Sequence, residues 1–383
     1  MDLGLVAGEA SGDLLGAHFV NALKQAHPDL QAAGIAGPRL VQAGVEALYP
    51  SEKLAVNGYV EVLRHLPELL WIRSRVTRHF LLKRPRVFVG IDAPDFNFVL
   101  ETRLKQAGIP TVHFVSPSLW AWRPERIHRI KQAVSHMLVV FPFEEEIYRD
   151  AGIPVTYVGH PLADVIPLDP DVAAARATLA LTAGPVVALL PGSRLSEVKR
   201  HAQLMLDAAA LILERHPDAQ FVLPAASEAT AQLIRRAALD VNQRAASGQP
   251  LPLQILNGQS HVALAACDVA LVASGTATLE AALFKKPMVI TYRVPALTAY
   301  LMRKKALLPW IGLPNILARD FVVPERVQEA ATPEHLAADA LAWLADVPRC
   351  QALATTFHAM HLSLRQNASV RIAEALEPYL ADA

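Results

Sequence analysis

The sequence predicts an α/β fold of two successive domains, each a parallel sheet wrapped by helices. Three observations predict it. The chain has 383 residues, more than one core usually accommodates, so two domains of roughly 150 to 200 residues are expected. Short apolar runs alternate with longer amphipathic stretches, mostly about 20 to 40 residues apart, which is the spacing of βα units. The runs are apolar throughout rather than alternating, as strands covered on both faces are.

Strands are expected at residues 3–7, 32–36, 87–91, 111–115, 136–140, 155–158, 186–190, 220–223, 253–256, 269–272 and 287–291. The first series ends near Val158. Pro161, Pro167 and Pro170 punctuate the next segment, and residues 186–190 open a second series with its own strand–loop–helix start. Two Rossmann-like domains, 1–165 and 166–345, follow from that restart. Such sheets bind ligands beyond the carboxyl ends of their strands, and facing domains would share that crevice. Pro333-Glu334 suits a first helical turn, so helices are expected from there to the end, with 346–383 as a helical tail.

Composition narrows the function. Apolar residues make up 52% and charged residues 19%, so most of the chain should be folded. Lys+Arg and Asp+Glu both number 36, which removes net charge as an argument for nucleic acid and leaves charged ligands to local patches. Cys267 and Cys350 have neither metal-ligand nor redox spacing, which fits a reducing, cytoplasmic compartment. The opening MDLGLVAGEASGD lacks a basic region followed by a long apolar one and reads as a strand rather than a secretory signal. No apolar run is long enough to span a bilayer. The histidines show no HxH or HExxH spacing, Asp169-Pro170-Asp171 falls in the linker, and GxSxG is absent. Neither a metal nor a cofactor is expected.

Five loops carry chemistry. The first, Gly8-Glu9-Ala10-Ser11-Gly12-Asp13, follows the first strand. Its small residues admit a ligand to the backbone at a helix start, and they equally suit a tight turn with Ser11 or Asp13 as the cap. It is not the GxGxxG of dinucleotide sites. In the second, GIDAPDFN at 90–97, a strand runs straight into two carboxylates. Asp92, nearer the strand end, is the candidate general base and Asp95 the candidate cap. The third holds Ser116, Trp120, Trp122 and Arg123, which either line a pocket for an anionic, partly apolar ligand or pack between domains. The fourth, Leu190-Pro191-Gly192-Ser193-Arg194, suits a diphosphate through backbone donors and a guanidinium, or is an ordinary turn with a surface arginine. The fifth, Ser274-Gly275-Thr276, offers a second anion-facing helix start. Glu280 lies about one turn further on, placed for sugar hydroxyls or for solvent, and Asn315 in Gly312-Leu313-Pro314-Asn315 adds an amide.

Taken together, VAGEASGD, AGPR at 36–39, VGIDAPDFN, VSPSLWAWR, LLPGSR and ASGTATLE followed by LPN resemble, in order and spacing from residue 6 to 315, the motif series of the lipid-A-disaccharide synthase family. The resemblance implies a GT-B fold of two facing Rossmann-like domains. The acceptor would bind the N-terminal domain and the UDP-sugar the C-terminal one, and the C-terminal helices within 346–383 would pack back on the N-terminal domain. It implies an inverting transfer from UDP-2,3-diacylglucosamine to 2,3-diacylglucosamine 1-phosphate (lipid X), giving the β-1,6-linked lipid A disaccharide 1-phosphate and UDP. Asp92 would deprotonate the acceptor 6-hydroxyl. Ser193, Arg194, Ser274, Gly275 and Thr276 would hold the diphosphate without a metal, Glu280 the ribose, and Asn315 would support the donor or the catalytic loop. Gly8, Glu9, Ser11 and Gly12 would line the cleft.

Diacylated substrates add a membrane expectation. Val60, Val62, Leu63, Leu66, Leu69 and Leu70 lie among Arg64, Arg73, Arg75 and Arg78, so this segment would meet the anionic inner face of the inner membrane peripherally. Residues 300–310 are a second candidate contact. Without the diacyl substrates, a core helix with a solvated basic face is the plainer reading. The tail helices offer a face for a homodimer. One departure from the family pattern is Arg326, where a more apolar residue is usual. A sugar epimerase or another GT-B transferase would share the diphosphate loops but not the whole motif series, and a non-catalytic binding protein would have no need of Asp92 and Arg194.

Overall fold

The computed structural model describes residues 1–8, 10–54, 59–244 and 250–381, without the side chains of residues 10, 11 and 59–64. Glu9 and the side chains of Ser11, Val60, Val62 and Leu63 therefore lie outside the described residues. The chain divides into two units, Met1–Asp164 with Ser363–Ala383, and Val165–Leu362.

The first unit holds strands β1 (Leu3–Ala7), β2 (Ala32–Ala36), β3 (Val45–Pro50), β4 (Val87–Ile91), β5 (Thr111–Phe114), β6 (His136–Val139) and β7 (Val155–Tyr157). They form one parallel sheet in the order β3-β2-β1-β4-β5-β6-β7. The order reverses between β1 and β4, whose residues are all buried. The second unit holds β8 (Val186–Leu190), β9 (Gln220–Ala225), β10 (Leu253–Asn257), β11 (Val269–Ala273), β12 (Met288–Tyr292) and β13 (Glu325–Val327). Its parallel order is β10-β9-β8-β11-β12-β13, with the reversal between β8 and β11.

Apolar runs disclose the central strands and the edges β7 and β10, and miss the edges β3 and β13. β3 (VEALYP) is mostly exposed and ends in Pro50, which an edge tolerates because no further ladder donor is needed there. β13 is a three-residue edge strand. Arg326, the departure from the family pattern, stands on that edge, and its guanidinium meets the Asp339 carboxylate through two bonds of 2.6 and 2.8 Å. A fork of this kind makes a polar residue at home there.

The helix Tyr59–Lys83 shows how one amphipathic stretch serves two surfaces. Ile72, Val76 and Phe80, four residues apart, enter the core beside Val6, Phe88, Leu100 and Leu104. Each such burial contributes roughly 1.5–3 kcal/mol. Nearer its start, Leu66, Leu70 and Trp71 are exposed. Among the described residues no helix is long and apolar enough to cross a membrane.

The tail divides at Ser363 rather than returning as a whole from 346, which corrects the expected third segment. The helix Val347–Leu364 stays with the second unit as far as Leu362. Its Cys350 Sγ lies 3.1 Å from the carbonyl of buried Trp343, and Phe357 is fully buried. The helix Ala368–Leu380 belongs to the first unit, packed on the helix Ala10–Ala26. Asp164 caps it by accepting the Asn367 and Ala368 N–H groups at 3.0 and 2.7 Å, and His27 meets Glu377 at 2.9 Å. Asp171, from the linker Asp-x-Asp, accepts the Ala174 N–H as the cap of the helix Val172–Thr178.

Candidate functional site

Four of the five chemistry-bearing loops leave strands that flank a reversal, β1 and β4 in the first unit and β8 and β11 in the second, where open α/β sheets place their ligands; the third loop leaves β5, next to β4. In the first unit, β4 ends in Asp92 (φ 53°) and Ala93 (φ 43°), both in the left-handed region. Non-glycine residues there cost about 1–3 kcal/mol and persist only when their surroundings hold them. The Asp92 N–H donates to the Phe114 carbonyl (2.9 Å), and Asn97 Nδ2 donates to the Asp92 carbonyl (2.8 Å). The Asp92 carboxylate itself has no partner among the described residues and is half-buried. Asp95 pairs with Arg126 at 2.7 Å and is 80% exposed, so it plays a surface part.

Gly8 and Gly12 are buried against this turn. A Cβ on Gly8 would fall 2.5 Å from the Ala93 Cβ, and one on Gly12 would touch Ile91. Asp13 is no cap for its own helix. Its buried carboxylate accepts the N–H groups of Gly37 (2.7 Å), Arg39 (2.9 Å) and Leu40 (3.1 Å), so it caps the helix Pro38–Gln42 from across the fold. A Cβ on Gly37 would meet Asp13 Cγ at 2.5 Å, which makes the glycine of AGPR a close-approach residue. The first two motifs are therefore one structural device.

Polar groups buried beneath the Asp92 turn escaped sequence reasoning. Glu101 and His113, both fully buried, meet at 2.7 Å. Burial pushes the Glu101 carboxyl up, against the pull of His113. Gly90 makes room, since a Cβ there would lie 2.1 Å from Glu101 Oε1. Under the third loop, Ser116 Oγ bonds the Tyr148 hydroxyl (2.7 Å) and Trp120 Nε1 donates to Glu144 (3.0 Å). Glu144 also accepts the Phe141 N–H (3.0 Å). Burial raises its carboxyl to about 7 in spite of these donors. Ser116 and Trp120 thus brace the loop from within, whereas Trp122 is exposed and carries Arg123 stacked at 4.2 Å.

In the second unit a cavity of about 510 Å³ opens beyond β8 and β11. Gly192, Ser193, Arg194, Ser274, Gly275, Thr276, Glu280 and Tyr292 are among the residues that line it. Gly275 (φ 152°) has open space where a Cβ would stand, so its backbone is accessible at the start of the helix Thr276–Leu283. Two helix starts, those of Leu195–Arg215 and Thr276–Leu283, border the cavity, an arrangement suited to an anion with several oxygens. Glu280 lies 3.6 Å from His261. Tyr292 stacks on buried His201, whose Nε2 accepts the Arg293 N–H at 2.9 Å.

The family model described as Lipid-A-disaccharide synthetase matches residues 3–377. The chain belongs to the lipid-A-disaccharide synthase family. It is 76% identical to the lipid-A-disaccharide synthase of Thiobacillus denitrificans over 98% of this chain and 99% of that one, and 53% identical to that of Methylobacillus flagellatus over 99% of each. Solved structures share the GT-B fold at low identity. A UDP-GlcNAc 2-epimerase from Neisseria meningitidis, bound to UDP-GlcNAc, matches with TM-score 0.63 and 14% identity over 99% of this chain and all of that one. A putative UDP-N-acetylglucosamine 2-epimerase from Listeria monocytogenes matches with TM-score 0.66 and 12% identity over 99% of this chain and 97% of the other. These likenesses speak for the fold alone, so the motif series and not the architecture separates lipid-A-disaccharide synthases from epimerases.

Of the residues assigned to the donor, Asn315 is not among those that line the cavity. Asn315 is fully buried, and its amide holds the Val323 backbone from both sides (2.9 and 3.0 Å) and Glu325 at 2.9 Å. Glu325 in turn accepts the Ile311 and Gly312 N–H groups, so Asn315 ties a loop together rather than facing a ligand.

Proposed function

We infer that this chain is an inverting glycosyltransferase of lipid A biosynthesis, joining UDP-2,3-diacylglucosamine to 2,3-diacylglucosamine 1-phosphate with release of UDP. The unbroken family match over residues 3–377 carries the reading. Asp92 is the base that removes the acceptor 6-hydroxyl proton as the oxygen attacks the anomeric carbon, and a carboxylate with no partner among the described residues, on a clamped turn, supports that role. Arg194, Ser193 and the Ser274–Thr276 helix start hold the diphosphate and stabilise the leaving charge, and Glu280 holds the ribose. Their common cavity supports this assignment. No metal is part of the proposal. Asn315 acts through its loop.

Incubating the purified chain with UDP-diacylglucosamine and the acceptor, with and without a chelator, and weighing the lipid product tests the whole reading. Asp92→Asn should abolish disaccharide formation while UDP still binds. Full turnover in that variant removes the assigned base, and turnover only on added Mg²⁺ removes the metal-free step.

The acceptor's acyl chains favour a peripheral contact with anionic lipid through the start of the helix Tyr59–Lys83. Exposed Leu66 and Leu70, with half-buried Leu69, support it. Serine at all three should lower partition onto phosphatidylglycerol-containing vesicles; unchanged partition would count against that surface. Exposed Val347 and Leu362 on the tail helix of the second unit support a homodimer, which light scattering would test.

A further inference from the structure

The diphosphate cradle proposed for the second unit already holds an anion, and that anion belongs to the chain. Glu197 Oε2 accepts the N–H groups of Ser193 (3.2 Å) and Arg194 (3.3 Å), and Oε1 lies 3.3 Å from Arg194 Nη1. The two backbone donors and the guanidinium assigned to the diphosphate are thus engaged by one carboxylate, itself lining the cavity and 17% exposed. Gly192 (φ 112°) admits it, because a Cβ there would fall 2.6 Å from both the Cβ and Oε2 of Glu197.

A carboxylate on the N–H groups of a helix start uses the same chemistry as a phosphate there. The two cannot share those donors, since like charges at such a distance repel strongly in a partly dry site. Resting on the assignment of Ser193 and Arg194 above, we propose that Glu197 is an internal competitor for the diphosphate. It occupies the cradle when the nucleotide is away, turns out as the UDP-sugar binds, and returns as UDP leaves. The consequence is a lower affinity for product UDP and a faster release.

Glu197→Gln separates this role from helix capping. The amide keeps an acceptor oxygen for the cap and loses the charge. Calorimetric titration of UDP into the full chain should give a Kd about fivefold tighter in the variant (about 1 kcal/mol). Uridine, followed by NMR titration, should bind both proteins alike, because it has no phosphate to compete. Stopped-flow release of UDP should slow to match. Glu197→Ala should tighten UDP in the same direction, which guards against a fold defect peculiar to the glutamine. Equal or weaker UDP affinity in both variants, each still unfolding in one cooperative transition, would reduce Glu197 to a cap and overturn the proposal. Failure of the wild-type chain to bind UDP would instead overturn the cradle assignment, and this inference with it.

Discussion

Glu144 makes the stability of the first unit depend on pH in a direction opposite to that of most carboxylates. Its side chain is 1% exposed, and burial, the largest influence, raises its carboxyl from 4.5 to about 7 against the pull of the Phe141 N–H, the Trp120 Nε1–H and the Ser116 hydroxyl. Between those two values the folded chain holds a proton that the unfolded chain has released. Stability from this group is therefore fully present below pH 4.5 and is lost as pH rises through about 7. An interval of roughly 2.5 pH units at 1.36 kcal/mol each amounts to about 3 kcal/mol. Glu144→Gln removes the titration. It also sets an N–H₂ group where the second acceptor oxygen stood, leaving one donor unmatched at a cost of about 1–3 kcal/mol. Urea denaturation of both full-length proteins from pH 5 to 8 isolates the group, because other titrations cancel in the difference. The wild-type advantage should shrink across that range by about 2–3 kcal/mol. A difference that stays flat, or grows with pH, would mean that the carboxylate is ionised in the fold throughout and that its donors outweigh burial.

Two further substitutions test the scaffold of the Asp92 turn. Asp13→Ala strands three backbone N–H groups at the start of Pro38–Gln42 and should destabilise the first unit by about 2–4 kcal/mol, read as a lowered thermal midpoint. An unchanged midpoint would show that water caps that helix as well. Gly90→Ala drives a methyl to within 2.1 Å of Glu101 Oε1 and should cost about 1–3 kcal/mol while lowering kcat, since the displaced strand leads directly into Asp92. A stable, fully active variant would separate the buried Glu101–His113 pair from the Asp92 turn.

The fold was legible where burial is two-sided. β1, β4, β8 and β11 are continuous apolar runs because helices cover both faces, and the loops at their carboxyl ends follow from their position at the sheet reversals. β3 and β13 were not legible, because an edge strand needs neither an apolar run nor every ladder donor. The site was legible in residue type and less so in role. Asp13, Asn315 and Gly8 each carry the motif, yet each faces inward, since a carboxylate, an amide and a glycine serve backbone donors or close packing as readily as a ligand. Glu101, His113 and Glu144 had no local signal at all. Their side-chain partners His113, Glu101 and Trp120 lie 12, 12 and 24 residues away in sequence, and only the fold brings them together.

The two reversal points hold their reactive groups by different means, and the difference suits the proposed chemistry. A general base needs free lone pairs for the incoming hydroxyl, so side-chain hydrogen bonds cannot be what fixes it. Asp92 is fixed by its main chain instead: two consecutive left-handed residues, a bond to the Phe114 carbonyl, and the Asn97 amide on its own carbonyl. The strain in that turn is offset by the buried sheet beneath it, where β4 and its neighbours leave no room to relax. A cradle for a leaving diphosphate has the reverse requirement. Its donors must be exposed and ready, and exposed donors attract any nearby anion. The chain meets that hazard with Glu197, which keeps the donors of the Leu195–Arg215 helix start satisfied while leaving them displaceable, because the bonds it makes are long (3.2–3.3 Å) and its partner Arg194 is half exposed. Rigid presentation of the base and exchangeable occupation of the cradle are thus two answers to one constraint, that each group be free at the moment the sugar is transferred.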